Sequence, residues 1–307
     1  VKQYYPFCVQ IELVQGCNRK CYFCGTNGIE KKFHYMDIDT ICHIAELLRD
    51  CNYRGRILLA GHGEPSLHKQ MPLFVGVLHD FIPKAHITMF TNGYGFLKKK
   101  SLLKEYFQSG GDAIMFDEYS DNRIKEMIFA LPDINRYKID LLDKGVPLFN
   151  RQEKRKRVII SSPIEAEGKA VNRKLCNHCG AGMPPLKEPL QKKCSIIFRD
   201  FFIRWDGNVA ICCNDFRGEY PVTNMKDCAT FEEAYYHPRL EAARKRLMQN
   251  DRGFHPCNIC NVVPLRVGLL PDKSGKTTMP LPNDDDYKLT NHRMQALAVK
   301  RNREWDE

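Results

Sequence analysis

The sequence predicts an α/β fold, a parallel sheet with helices outside it, followed by a smaller cysteine-bearing unit. Two observations carry this. Short apolar runs and amphipathic segments alternate from residue 6 to about residue 162, the pattern of repeated β-α units. The alternation supplies six candidate strands, fewer than the eight of a closed (β/α)8 barrel.

The strands read as 7–14, 56–60, 86–91, 112–117, 136–142 and 157–161. Each is a short run of apolar residues bounded by polar or turn residues. Helices are expected over 39–51, 69–81, 97–108 and 121–130. Gly145 and Pro147 argue against a long helix within 143–155. In α/β folds, ligands bind outside the C-terminal ends of the strands, so those ends are where function is sought.

The segment after the first strand reads Gly16-Cys17-Asn18-Arg19-Lys20-Cys21-Tyr22-Phe23-Cys24. Three thiolates on one tight loop hold three corners of a [4Fe–4S] cluster and leave one iron without a protein ligand. Structural zinc fits less well, because it takes four protein ligands, usually as two pairs. The C-x3-C-x2-C spacing, with Phe23 before the last cysteine, resembles the signature of radical S-adenosylmethionine (SAM) enzymes. That resemblance implies that the open iron binds SAM. It also implies an open partial (β/α)6 barrel of the TIM type, which the strand count suits. Cys17, Cys21 and Cys24 would then be both metal ligands and catalytic residues. An external one-electron reductant such as a flavodoxin or ferredoxin is implied as well.

The strand over 56–60 runs into Gly61-His62-Gly63-Glu64-Pro65. Glycines at a strand end allow close approach of backbone to a ligand. The run resembles the family's G-x-G-E-P element, which implies that Gly61, Gly63 and Glu64 hold the methionine part of SAM. Later strand ends offer Asn92, Asp117 and Arg123 as further cofactor contacts, with Phe23 beside the cluster. Asp117 is equally suited to capping the next helix. Met115 stands where relatives often carry a serine that contacts SAM. Arg151, in Phe149-Asn150-Arg151, resembles the asparagine–arginine segment of several subgroups. It is a candidate catalytic residue or one more member of a basic run.

The chain has 307 residues, 43% hydrophobic, with a net charge of +10. No stretch approaches the roughly 20 apolar residues of a membrane span, and no signal-peptide pattern opens the sequence. Fourteen cysteines without the short scaffold of a disulfide-rich secreted domain point to reduced thiols serving metal. A cytoplasmic location is expected. Residues 151–200 hold twelve Lys or Arg against five Asp or Glu. The densest part, Arg151-Gln152-Glu153-Lys154-Arg155-Lys156-Arg157, is either a solvated loop or a surface facing an anionic substrate.

Residues 163–193 are rich in Pro, Gly and Lys and read as a bridge. They contain Cys176-Asn177-His178-Cys179, a C-x2-C pair without obvious partners. Beyond them, Cys194, Gly207 and Cys212 form C-x12-G-x4-C, and Cys257-Asn258-Ile259-Cys260 adds a C-x2-C. Phe201–Trp205 and Asn208–Cys212 read as a hairpin with an Asp206-Gly207 turn. Residues 230–248 read as a helix returning the chain. The order resembles the SPASM/Twitch group of radical SAM enzymes, in the shorter Twitch form. A second [4Fe–4S] cluster on Cys194, Cys212, Cys257 and Cys260 is thereby implied. Cys213 adjoins Cys212 and competes for the same role, and a structural zinc site is the alternative for the set.

Four units are expected: a barrel over 1–162, a bridge over 163–193, a Twitch-like auxiliary domain over 194–262 and a polar extension over 263–307. The extension's Gly275-Lys276-Thr277 lacks the leading glycine of a P-loop. The expected activity is hydrogen abstraction from a substrate C–H bond. The net reaction is an oxidation of a small polar or phosphorylated metabolite, with the auxiliary cluster accepting an electron. Modification of a nucleotide or nucleic-acid base, peptide maturation, and a zinc-ribbon nucleic-acid binder are the alternatives.

Overall fold

The structure is a computed structural model that describes residues 5–118, 122–142, 156–161 and 176–263. Strand β1 (Cys8–Ile11) is followed by a two-residue β2 (Val14–Gln15), which pairs with β3 (His34–Tyr35). The first strand therefore ends earlier than its alternation suggests, and the cysteine loop sits inside this small hairpin. Helix α1 (Ile38–Asp50) starts at Asp37, whose carboxylate accepts from Thr40 N at 2.6 Å, the usual N-cap arrangement. It buries Ile41, Ile44, Ala45, Leu47 and Leu48, one face at helical spacing.

The alternation continues through β4 (Arg56–Leu59), α2 (Met71–Phe81), β5 (His86–Thr91), α3 (Tyr94–Lys98), α4 (Ser101–Gln108), β6 (Ala113–Asp117), α5 (Arg123–Phe129), β7 (Tyr137–Leu142) and β8 (Lys156–Ser161). The expected single helix over 97–108 is two, broken between Lys98 and Ser101. Strands β1, β4, β5, β6, β8 and β7 pair in that order, all parallel. Together with the helices they make an open partial barrel of the α/β class. The sixth strand thus lies between the fourth and fifth. Composition explains the placement. Val158, Ile159 and Ile160 in β8 are all buried, as a strand covered on both faces requires. β7 alternates Lys138 and Asp140 with apolar residues and takes the edge.

At the other edge, β1 pairs parallel with β9 (Asp200–Ile203), which follows the short α6 (Ile196–Arg199). β9 turns back through Gly207, at φ +85°, into β10 (Asn208–Ala210) and then β11 (Pro221–Asn224). The second unit is therefore hydrogen-bonded into the same nine-stranded sheet. Helices α7 (Phe231–Tyr235) and α8 (Pro238–Met248) replace the single helix expected over 230–248. Pro238 opens the second of them, a residue that cannot continue the first. The main apolar core lies between the strands and these helices. Phe7, Cys8 and Leu58, with Ala60 and Phe90, form a separate cluster on the opposite face, inside the barrel.

Lys156 pairs with Asp112 at 3.2 Å and Arg157 with Asp140, so the end of the basic run serves the sheet. Arg151 and the rest of the run, the segment 143–155 and the extension from 264 onward lie outside the described residues. No helix among the described residues is long and apolar enough to cross a membrane.

Candidate active site and auxiliary metal centre

Cys17, Cys21 and Cys24 are half-buried on the loop after β2. The loop carries N–H and O–H groups toward sulfur. Arg19 N reaches Cys17 Sγ at 3.4 Å, Thr26 Oγ1 reaches Cys24 Sγ at 3.2 Å, and Asn92 Nδ2 reaches Cys17 Sγ at 3.4 Å. Burial pushes the Cys17 thiol up to about 11, and the neighbouring Glu64, Cys24 and Cys21 add to it. Burial opposes ionisation of Cys17 and Cys21, and donors are already aimed at the sulfurs of Cys17 and Cys24, a donor set that a cationic metal core would stabilise.

Gly63 lies against this loop. It bridges to Gly16, with Glu64 N donating to Gly16 O at 3.0 Å and Gly16 N to His62 O at 3.0 Å. A Cβ at Gly63 would stand 2.1 Å from Val14 O and 2.5 Å from Gly16 O, so only glycine fits. One at Gly61 would stand 2.8 Å from Glu12 Cβ. Glu64 is 2% exposed. Its Oε1 accepts from Ser66 N at 2.9 Å and from Thr91 Oγ1, and its Oε2 accepts from Asn92 N at 2.7 Å. The carboxylate thus ties the end of β4 to the end of β5, and Asn92 ties both to Cys17. Thr91 was not singled out by sequence reasoning; its place just before Asn92 at a strand end was the available signal.

Asp117 ends β6 inside the barrel, where burial, with the nearby Glu64 carboxylate, pushes its carboxyl up to about 7. It does not cap α5; Glu118 does that work, its Oε2 accepting from Lys125 N at 3.0 Å. Arg123 is exposed at the first residue of α5. Phe23 packs edge-on against Tyr22, with centroids 5.3 Å apart.

His62, in the middle of the glycine run, joins the two halves of the molecule. It is fully buried, and its Nε2 donates to Cys213 O at 3.0 Å. Its ring lies 4.0 Å from that of Phe216. Its backbone N–H donates to Glu12 Oε1 at 2.7 Å, and its Nδ1 stands 3.3 Å from the same oxygen. Burial raises Glu12 to about 7 and lowers His62 to about 3. Both shifts favour a neutral pair.

The auxiliary thiols face a cavity between α6, β10, α8 and the 256–262 loop. Cys194, Cys212, Cys257 and Cys260 line it, with Ile196, Ile211 and Leu247. Cys213 does not. Cys179, from the bridge, does. No group of three or more His, Cys, Asp or Glu among the described residues closes on a single ion. Thiols spread around a cavity suit a multi-iron cluster better than tetrahedral zinc. Arg252, 2% exposed, fastens both ends of the site. Its Nε donates to Lys192 O at 2.8 Å, one terminal nitrogen to Val262 O at 2.8 Å and the other to Lys193 O at 3.0 Å. Sequence reasoning missed this residue, since nothing separates a buried arginine from its surface neighbours in a basic chain.

The description of the radical SAM superfamily matches residues 11–130, and that of the SPASM iron–sulfur cluster-binding domain matches 194–261. An S-adenosyl-L-methionine-dependent 2-deoxy-scyllo-inosamine dehydrogenase of Niallia circulans is 34% identical over 96 residues, 31% of this chain and 38% of that protein. A GTP 3',8-cyclase of Nautilia profundicola is 32% identical over 107 residues, 34% of this chain and 31% of that protein. The chain thus spans well under half the length of these curated relatives. A crystal structure of BtrN in complex with AdoMet and 2-DOIA superposes with a TM-score of 0.65. It covers 84% of this chain and 94% of that one at 22% identity, a likeness of fold. With the cysteine loop, the glycine–glutamate turn and the thiol-lined cavity in place, the chain carries a radical SAM domain over residues 11–130 and a SPASM-type iron–sulfur cluster-binding domain over 194–261, domains whose cofactors are S-adenosylmethionine and [4Fe–4S] clusters.

Proposed function

We propose that the chain is a SAM-dependent dehydrogenase acting on a hydroxyl group of a small polar or phosphorylated metabolite. The observation that carries this is the thiol-lined auxiliary cavity, which has a cysteine for every iron of its cluster and so suits electron transfer rather than a second SAM site. The bound groups supply hydrogen-atom abstraction at one centre and one-electron oxidation at the other. The substrate's >CH–OH gives up a hydrogen atom from carbon, the hydroxyl proton and one electron, and becomes >C=O. Gly61, Gly63, Glu64 and Asn92 are assigned to positioning SAM beside Cys17, Cys21 and Cys24. Asp117, inside the barrel with its carboxyl near 7, is assigned to accepting the hydroxyl proton. Cys194, Cys212, Cys257 and Cys260 hold the electron-accepting cluster.

Several features support the assignment. The match to a dehydrogenase spans part of the chain, and β9 attaches the auxiliary unit directly to β1. A nucleotide substrate is less well supported, because Lys156 and Arg157 already pair with Asp112 and Asp140. The exposed Lys20, Tyr22, Lys31 and Lys32 on and beside the Cys17–Cys24 loop suit an acidic one-electron carrier as reductant. The assignment divides the chain into a barrel over 1–162, a bridge over 163–193, an auxiliary domain over 194–262 and an extension over 263–307.

The test is an anaerobic assay of the reconstituted protein against cyclitols, sugars and their phosphates. A dehydrogenase gives one 5′-deoxyadenosine per product, and the product is lighter by two hydrogens. A product of unchanged mass, or one that has gained a group, overturns the reading.

A further inference from the structure

The auxiliary cavity holds one thiol more than a cluster has corners. Cys179 lines it beside Cys194, Cys212, Cys257 and Cys260 and is 3% exposed. The backbone that delivers it is unusual. His178, Cys179 and Gly180 have φ of 48°, 52° and 79°, three successive residues in the left-handed region, which non-glycine residues seldom adopt. Asn177 holds this turn in place, with Nδ2 donating to Ile259 O at 2.7 Å and to Pro184 O at 3.2 Å. Cys176, the other member of the C-x2-C pair, turns aside and donates to Asn214 Oδ1 at 3.1 Å. The turn therefore presents one thiol to the cavity, beside the segment that carries Cys260.

We propose that Cys179 and Cys260 are interchangeable ligands of one iron of the auxiliary cluster, with Cys194, Cys212 and Cys257 holding the other three. This rests on reading the cavity as a four-iron site. The two turns that carry these thiols are tied together, Asn177 bonding to Ile259 and Asn261 on either side of Cys260, so Cys179 and Cys260 enter the cavity from neighbouring turns. A [4Fe–4S] cluster takes four thiolates, so one sulfur binds iron and the other, still protonated, donates a hydrogen bond to it. Removing either leaves a complete set. Cys194, Cys212 and Cys257 have no such stand-in among the described residues that line the cavity.

The test uses the full chain with Cys17, Cys21 and Cys24 changed to Ala, so that only auxiliary iron is counted. After anaerobic reconstitution this parent should hold about four irons and give the electron paramagnetic resonance signal of one reduced cluster. Adding Cys260→Ala, or Cys179→Ala, should leave about four irons, with a shifted signal in at least the first. Adding both should remove the iron, as should Cys257→Ala alone. Loss of iron in Cys260→Ala with the parent loaded overturns the proposal, as does a double variant that keeps it. A parent without iron overturns the cluster reading itself. If Cys260→Ala does not fold, the cluster-free chain with its native cysteines is treated with oxidised glutathione and mapped by mass spectrometry. A Cys179–Cys260 disulfide, formed as glutathione disulfide is reduced to two thiols, supports the shared corner. Cys257–Cys260 pairing instead overturns it.

Discussion

Asn177 and Asn261 each donate a backbone N–H to the other's side-chain oxygen, at 2.8 and 3.1 Å. This reciprocal pair fixes the bridge to the residue just after Cys260. The bridge also touches the first cluster loop, since a Cβ on Gly28 would stand 2.4 Å from Ala181 O, and one on Gly182 would stand 2.6 Å from Phe23 O. A single turn of chain therefore packs against both cysteine sites. Asn177→Ala would remove three side-chain bonds, to Asn261 N, Ile259 O and Pro184 O, in a site where Asn177 is 1% exposed. A loss of about 3 kcal/mol is expected, read by denaturant unfolding of the cluster-free chain. A change below about 0.5 kcal/mol would show that the bridge is held by other contacts.

Arg252 is a second fastening point. Arg252→Met keeps much of the side-chain volume and leaves three carbonyl groups unsatisfied. The expected cost is about 3–5 kcal/mol, with auxiliary iron reduced and first-site iron unchanged. Arg252→Lys keeps the charge and loses the planar fork, so it should fall between wild type and Met. Equal behaviour of Lys and wild type would assign the effect to charge alone.

The Glu12–His62 pair gives a stability signature with pH. His62 is lowered from 6.5 to about 3 by burial, with Arg204 and His178 adding. The unfolded chain thus binds a proton there below 6.5 that the folded chain refuses until about 3. The His62 contribution is complete above 6.5 and is lost as pH falls toward 3. Glu12, raised to about 7 by burial despite Arg204, has the opposite sign. Its contribution is complete below 4.5 and is lost as pH rises through 7. Between about 4.5 and 6.5 the two slopes oppose each other. Comparing wild type with His62→Phe isolates the first. The difference in unfolding free energy should grow by about 1.4 kcal/mol per pH unit from pH 3 to 6.5. A difference independent of pH would mean that His62 is protonated in the fold.

Much of this architecture was legible in the residues. Leu58-Leu59 and Val158-Ile159-Ile160 are apolar runs that only a strand core absorbs, and the C-x3-C-x2-C and C-x12-G-x4-C spacings locate both cysteine sites. What was not legible depends on contacts distant in sequence. The order of the last two strands turns on which of them is covered on both faces, and Lys138 and Asp140 reveal that only once the neighbours are known. Cys179 enters the auxiliary cavity through a left-handed backbone at a residue type that seldom adopts it. Glu118 rather than Asp117 caps α5, a one-residue choice that strand register makes and composition does not. It leaves Asp117 for the barrel interior.

Asp117 is therefore the residue whose chemistry is most open to test. As the acceptor of the hydroxyl proton it must be ionised, and burial with the nearby Glu64 carboxylate holds it near 7. Product formation should then rise with pH through about 7 and level off above it. Asp117→Asn, nearly the same size, cannot accept the proton. It should cut product formation by roughly 100-fold or more while cleavage of SAM to 5′-deoxyadenosine persists, uncoupled from product. The acid limb near 7 should vanish from what activity remains. If Asp117 instead holds the cofactor, SAM affinity and SAM cleavage fall together with product, and the pH profile keeps its shape. Measuring 5′-deoxyadenosine and oxidised product side by side between pH 6 and 9 separates the two, since only a proton acceptor uncouples them.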